Sequence, residues 1–147
     1  MMGIDKIIPE VVLNLESDNK QNAILELIEV LHGAGKITDK KKFYKDLFKR
    51  EKMMSTYCGY HIAIPHSKSK VVSEASFAFG RSNGIKWDEN DDLVKYIVML
   101  AIPVSDQEKD SQHLEMMSSI ATLALEDDIR NRWENAKSKE EIIQTFF

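Results

Sequence analysis

The feature that most constrains this chain is one unbroken apolar stretch, Tyr96-Ile97-Val98-Met99-Leu100-Ala101-Ile102-Pro103-Val104. It is far shorter than the ~20 residues a helix needs to cross a bilayer. A strand with one face in water alternates apolar and polar residues, whereas a strand without alternation is covered on both faces. The stretch from Tyr96 to Ile102 therefore predicts a buried central strand with helices packed above and below it.

The rest of the chain supplies that cover. Ile24, Leu27, Ile28 and Leu31 recur at helical spacing, which predicts a helix over residues 19–32. Ser17 or Asp18 can cap its start, and Gly33 and Gly35 offer a left-handed stop. A second helix, capped by Thr38 or Asp39, turns Phe43 and Leu47 inward together with Tyr44 and Phe48, and runs to about Met53. Shorter strands are expected at Val11–Leu15, at Ile62-Ala63-Ile64 before Pro65, and at Ala75–Gly80, where Phe77 and Phe79 share a side. Ser82-Asn83-Gly84 reads as a turn leading into Ile85-Lys86-Trp87, so Ala75–Trp87 is expected to form a hairpin. Three helices close the chain. Gln112–Leu125 has an inner stripe of Leu114, Met117, Ala121, Ala124 and Leu125, and is followed by Asp127–Asn135 and Lys139–Thr145, the last capped by Ser138.

This order predicts a single domain over residues 1–147, an α/β fold at the α+β border, with a mixed β-sheet and helices on both faces. A chain of 147 residues can bury roughly 68–70% of its unfolded surface, so it needs no metal or disulfide staple. Apolar residues at 43% and charged residues at 30% exclude disorder as the main state. Twenty basic residues against 24 acidic ones give a net charge of −4, which argues against a nucleic-acid partner. The single cysteine, Cys58, cannot form an internal disulfide, and the start of the chain has no apolar stretch of signal-peptide length. A reducing cytoplasm is the expected setting, without membrane insertion. Cys58 itself is expected to be a small buried residue rather than a nucleophile. No Walker loop, GxGxxG, GxSxG or CxxC occurs, so ATP-driven kinase, Rossmann dehydrogenase and thiol oxidoreductase chemistry all lack their motif.

Four histidines remain as chemical candidates. His32 ends the first helix, where a cation complements the dipole. His61 and His66 lack a cysteine or acidic cluster in register, so they make a poor metal pair. His66 follows Pro65 at the end of a buried strand, the place where ligands gather in α/β sheets, and Ser67 adds a hydroxyl beside it. His113 falls in the first turn of a helix, where unbonded N–H groups favour an anion; a core histidine or a cap is the alternative. Arg50 ends the second helix just ahead of Ser55 and Thr56. A guanidinium with hydroxyls can cradle phosphate, although Arg50 could equally pair with Glu51 at the surface.

Together these segments resemble a known family. Gly59-Tyr60-His61-Ile62-Ala63-Ile64-Pro65-His66 is similar to the active-site segment of the fructose/mannitol-type IIA domains (EIIA type 2) of the bacterial sugar phosphotransferase system. Leu31–Asp39, Lys49-Arg50-Glu51 with Ser55-Thr56, Phe77–Ser82, His113–Ala121 and Ala136–Glu141 resemble further segments of the family in the same order. The resemblance implies a phosphocarrier that needs no cofactor and no metal. HPr would donate a phosphoryl group to His66, and a IIB domain would receive it and phosphorylate a sugar brought in by the membrane component IIC. The same resemblance gives His113 and Arg50 assisting roles, with Ser55 and Thr56 as candidate phosphate-binding hydroxyls, to which Ser67 is added by its place beside His66. The fructose type is the best match. Tyr57 and His61 stand where the family usually has glycine, a departure that bears on the partner face. Two other readings compete: a nitrogen-type regulatory IIA domain that signals by its phosphorylation state, and a non-catalytic interaction module with an idle histidine.

Overall fold

β5, Leu93–Pro103, carries the apolar stretch and lies inside the sheet. The computed structural model describes residues 7–88, 92–104 and 110–147, and for residues 110–113 the backbone alone. The elements in chain order are β1 (Glu10–Val12), α1 (Lys20–Gly33), α2 (Lys40–Met53), β2 (Ile62–Ala63), β3 (His66–Ser69), β4 (Ser76–Lys86), β5, α3 (Asp110–Ala124), α4 (Asp127–Asn135) and α5 (Lys139–Gln144). The sheet runs β1-β4-β5-β2, with β3 also paired to β5. β4 and β5 are antiparallel, while β1 is parallel to β4, and β2 and β3 are parallel to β5.

Alternate residues of β5 enter two different cores. Tyr96, Val98, Leu100 and Ile102 pack with Phe77, Phe79, Met116, Ile120, Trp133 and Phe146, on the face covered by α3, α4 and α5. Ile97, Met99 and Ala101 pack with Ile24, Leu27, Leu31, Phe43 and Leu47, on the face covered by α1 and α2. Each large side chain so buried contributes roughly 1.5–3 kcal/mol. The fold class is therefore the α/β mixed sheet with helices on both faces that the sequence predicts.

Several local expectations need correction. Ser82-Asn83-Gly84 is not a turn; β4 runs through it, and its register with β5 shifts between Arg81 and Ile85. Side-chain bonding replaces the ladder at this bulge: the Ser82 hydroxyl donates to the Val94 carbonyl at 2.7 Å and accepts from Gly84 N–H at 3.1 Å. Gly84 has φ +127° and faces Leu93 so closely that a Cβ would lie 3.0 Å from its Cδ1. The hairpin is the one between β4 and β5. At α1 the cap is Asn19, whose side chain accepts from Asn22 N–H at 2.9 Å, because the Ser17 hydroxyl is committed to Glu26 at 2.5 Å. Asp39 caps α2, and Ser138 forms a reciprocal capping box with Glu141. The inner stripe of α3 is Met116, Ile120 and Ala124, with Leu114 67% and Leu125 65% exposed and Ala121 also exposed. Two stripes compete on this helix, and the one that meets the aromatic core is the one that buries. β3 has no apolar pattern at all. It is an edge strand whose polar residues Ser67 and Ser69 are buried beneath α2.

Candidate functional site

His66 begins β3 in register with Leu100, whose N–H is bound by the Pro65 carbonyl at 2.9 Å. β2, Pro65 and β3 thus form one interrupted edge along β5. His66 is buried, with 4% of its surface exposed. Its Nδ1 lies 2.8 Å from the Ile64 carbonyl. A carbonyl can only accept, so Nδ1 carries the hydrogen and Nε2 carries the lone pair. Arg50 Nε donates to that lone pair at 2.9 Å. Burial holds the imidazole below the usual histidine range; the Ile64 carbonyl opposes this, the Arg50 charge adds to it, and the Glu51 charge opposes it. His66 is therefore a neutral imidazole of one tautomer at neutral pH, which is the nucleophilic form.

α2 brings Arg50 to this place. The helix packs on β3, where the Ser69 hydroxyl donates to Asp46 at 2.7 Å. Its last turn then reaches the start of β3, sixteen residues along the chain. The candidate hydroxyls point elsewhere. Ser55 donates to Asp88 at 2.8 Å, Thr56 donates to Glu51 at 2.8 Å, and Ser67 donates to the Lys68 carbonyl at 3.2 Å. Thr56 is nonetheless local, because its carbonyl accepts Ile64 N–H at 3.0 Å. His113 lies in the first turn of α3, and its side chain is outside the described residues. The backbone of α3 is on the face of the sheet that holds Leu100, since Met116 packs in the same core.

Glu51 is the residue that sequence reasoning misplaced. It is not a surface partner of Arg50 but is buried, 6% exposed. Its carboxylate accepts from Trp87 Nε1 at 2.8 Å, from the Thr56 hydroxyl, and from Lys20 Nζ at 3.1 Å. Lys20 and Trp87 come from distant parts of the chain, so no local pattern could have revealed their contacts. Cys58 is exposed rather than buried, although its Sγ donates to the Ile62 carbonyl at 3.3 Å. Desolvation by the surrounding protein pushes the thiol up to about 11, so it is protonated at neutral pH and a poor nucleophile.

The turn leading into β2 has an unusual backbone. Gly59, Tyr60 and His61 follow one another at φ +92°, +55° and +64°. The two non-glycine residues are held by contacts: the Arg130 guanidinium lies 4.2 Å over the Tyr60 ring, and His61 Nδ1 donates to the Leu93 carbonyl at 2.8 Å.

The family model "Phosphoenolpyruvate-dependent sugar phosphotransferase system, EIIA 2" matches residues 8–147. The chain belongs to this family. Among its relatives, the fructose-specific EIIABC component of Bacillus subtilis (strain 168) is 35% identical over 132 residues, covering 89% of this chain. The chain spans only 20% of that relative's length. The fructose-specific EIIA component of Haloferax volcanii is 32% identical over 143 residues, covering 95% of this chain and 91% of the relative. The crystal structure of the nitrogen regulatory protein IIA-Ntr from Neisseria meningitidis superposes with a TM-score of 0.86 at 28% identity, covering 98% of this chain and 99% of that one. EIIA components of this family are phosphotransferase proteins that carry phosphoryl groups between partners. Among the described residues no helix is long and apolar enough to cross a membrane.

Proposed function

We propose that this chain is a phosphohistidine carrier in which His66 Nε2 accepts a phosphoryl group from phospho-HPr and passes it to a IIB component, in the uptake of a sugar of the fructose or mannitol class. The observation that carries this reading is the buried neutral imidazole whose Nε2 lone pair meets Arg50. The lone pair attacks phosphorus in line, the donor N–P bond breaks, and its electron pair returns to the donor imidazole. One N–P bond is exchanged for another, so the protein's task is positioning and charge stabilisation. Arg50 Nε now occupies the lone pair, so attack requires the guanidinium to move from Nε2 to the phosphoryl oxygens, where its planar fork meets them in pairs. The hydroxyls of Ser55, Thr56 and Ser67 serve other acceptors, which leaves Arg50 as the main phosphoryl ligand. His113, in the first turn of α3, assists beside unbonded backbone N–H groups and is not itself modified.

The fructose-specific relatives support the sugar class, and the EIIABC name of the first supports IIB and IIC as downstream partners. HPr as donor and a cytoplasmic location belong to the same reading. Incubation with phosphoenolpyruvate, HPr and the upstream kinase of HPr should label His66 alone by peptide mapping under neutral or basic conditions. Label on His113 or His61, or a His66→Ala variant that still accepts phosphate, would defeat the assignment. The close superposition with a nitrogen regulatory protein favours a second reading, a regulatory IIA domain. In that case the label would form on His66 but would not pass to IIB.

A further inference from the structure

Glu51 is a buried carboxylate with four hydrogen bonds or ion contacts gathered on it. They come from Lys20 Nζ at 3.1 Å, Trp87 Nε1 at 2.8 Å, the Thr56 hydroxyl at 2.8 Å and Thr56 N–H at 3.3 Å. A charge this deep is tolerated only when paired and hydrogen-bonded. The donors converge from the first turn of α1, the loop after α2 and the segment following β4. Lys20 sits at the first position of α1, where the helix dipole disfavours a cation. Its ammonium still reaches Glu51, and lies 4.8 Å over the Trp87 ring. That concentration of donors is more than a helix end needs.

From Glu51 two short routes lead to the two nitrogens of His66. Along the first, Glu51 holds Thr56, whose carbonyl binds Ile64 N–H at 3.0 Å, and the Ile64 carbonyl takes the His66 Nδ1 hydrogen at 2.8 Å. Along the second, Glu51 fixes the end of α2, and its neighbour Arg50 donates to His66 Nε2 at 2.9 Å. The routes close into a ring around the imidazole.

We propose that Glu51 is a positioning residue that closes this ring, fixing which nitrogen of His66 carries the hydrogen and where the other points. The inference rests on the reading of His66 as the phosphoryl acceptor. If the ring sets the aim of Nε2, loosening it misplaces the nucleophile without touching it. Anchoring of α2 alone would lower stability and leave the imidazole unchanged.

The test uses the full chain as wild type, Glu51→Gln, Thr56→Val and Trp87→Phe. Two quantities are read: the rate of phosphoryl uptake from phospho-HPr, and the ¹⁵N signals of the His66 ring. Glu51→Gln and Thr56→Val should each slow uptake by about 10- to 100-fold, the scale of an ångström-level misplacement. Both should also shift the His66 ¹⁵N signals towards mixed tautomers. A folded Glu51→Gln protein with wild-type ¹⁵N signals and rate overturns the proposal, as does one that only melts earlier. If Glu51→Gln does not fold, Trp87→Phe removes one donor from the same carboxylate and carries the test on the same two readouts; unchanged values there overturn it equally. Wild-type protein that takes no phosphate on His66 defeats the functional reading instead, and the ¹⁵N signals still decide the ring.

Discussion

In the proposed transfer Arg50 and His66 are the pair on which the chemistry turns, and their contact makes separable demands. On that proposal the guanidinium first shields Nε2 and then releases it to the phosphoryl group. Removing a donor aimed at developing charge costs about 10²–10³ in rate. Arg50→Ala should therefore slow phosphoryl uptake by that order with little change in unfolding temperature. Arg50→Lys should retain part of the rate, since it keeps the charge and loses the fork. Equal rates for wild type and Arg50→Ala in a phospho-HPr assay would remove Arg50 from the mechanism. His66 also has a pH signature. Its folded-state value is lowered, chiefly by burial, so between that value and about 6.5 the unfolded chain binds more protons than the folded one. Stability contributed by His66 should thus be present above about pH 6.5 and should fall as pH drops through that window. Urea midpoints across the window should show this dependence in wild type and lose part of it in His66→Gln. The same depression keeps the lone pair available, so the rate of uptake should hold below the pH at which a free histidine protonates.

At the scale of elements, the sequence was most legible where periodicity or capping chemistry speaks for itself. α2 and α4 lie where their apolar spacing and flanking residues place them, and Ser138 caps α5 as its capping-box partner Glu141 requires. β3 was invisible, because His-Ser-Lys-Ser carries no apolar alternation and owes its strand form to pairing with β5. The Ser82–Gly84 bulge was mistaken for a turn because its residues are those that turns favour. At the site, His66 and Arg50 could be singled out from their flanking residues. The ring through Glu51 could not be seen, since Lys20, Thr56 and Trp87 meet only in three dimensions. The Gly59-Tyr60-His61 turn is an element with a cost of its own. A left-handed non-glycine residue costs roughly 1–2 kcal/mol, partly returned here by Arg130 over Tyr60. Tyr60→Gly and Tyr60→Ala both lose the ring, but only the first relieves the backbone. Tyr60→Gly should therefore be the more stable of the two, by about 1 kcal/mol after the larger chain entropy of glycine is counted. Chemical denaturation of the two variants checks this, and an alanine variant at least as stable would mean that the turn holds no strain.

At the scale of the whole molecule, the two cores meet through β5, which contributes alternate side chains to each. Trp133 ties the α3–α5 side together. Its indole N–H donates to the Thr145 hydroxyl at 2.8 Å, and its ring packs against those of Phe79, Tyr96 and Phe146. Arg81, from β4, binds the carbonyls of Trp133 and Ala136 at 2.9 and 2.8 Å and so closes the end of α4. Trp133→Ala should cost about 3–5 kcal/mol, a large share of the about 5–15 kcal/mol that holds a domain together. A calorimetric scan showing only a slight shift would mean that this side of the sheet repacks. The backbone of His66, for its part, is laced to β5 by the Pro65–Leu100 bond and the pairing that follows it. Amides so placed exchange their hydrogens with solvent only when a large cooperative unit opens, not by fraying as a loop does. Hydrogen exchange at Leu100 should accordingly be among the slowest in the chain, and a fast-exchanging Leu100 would contradict it. The position of His66 is thereby kept by the clock of global unfolding, while the groups that would move in the proposed transfer, the Arg50 side chain above all, keep their own much faster time.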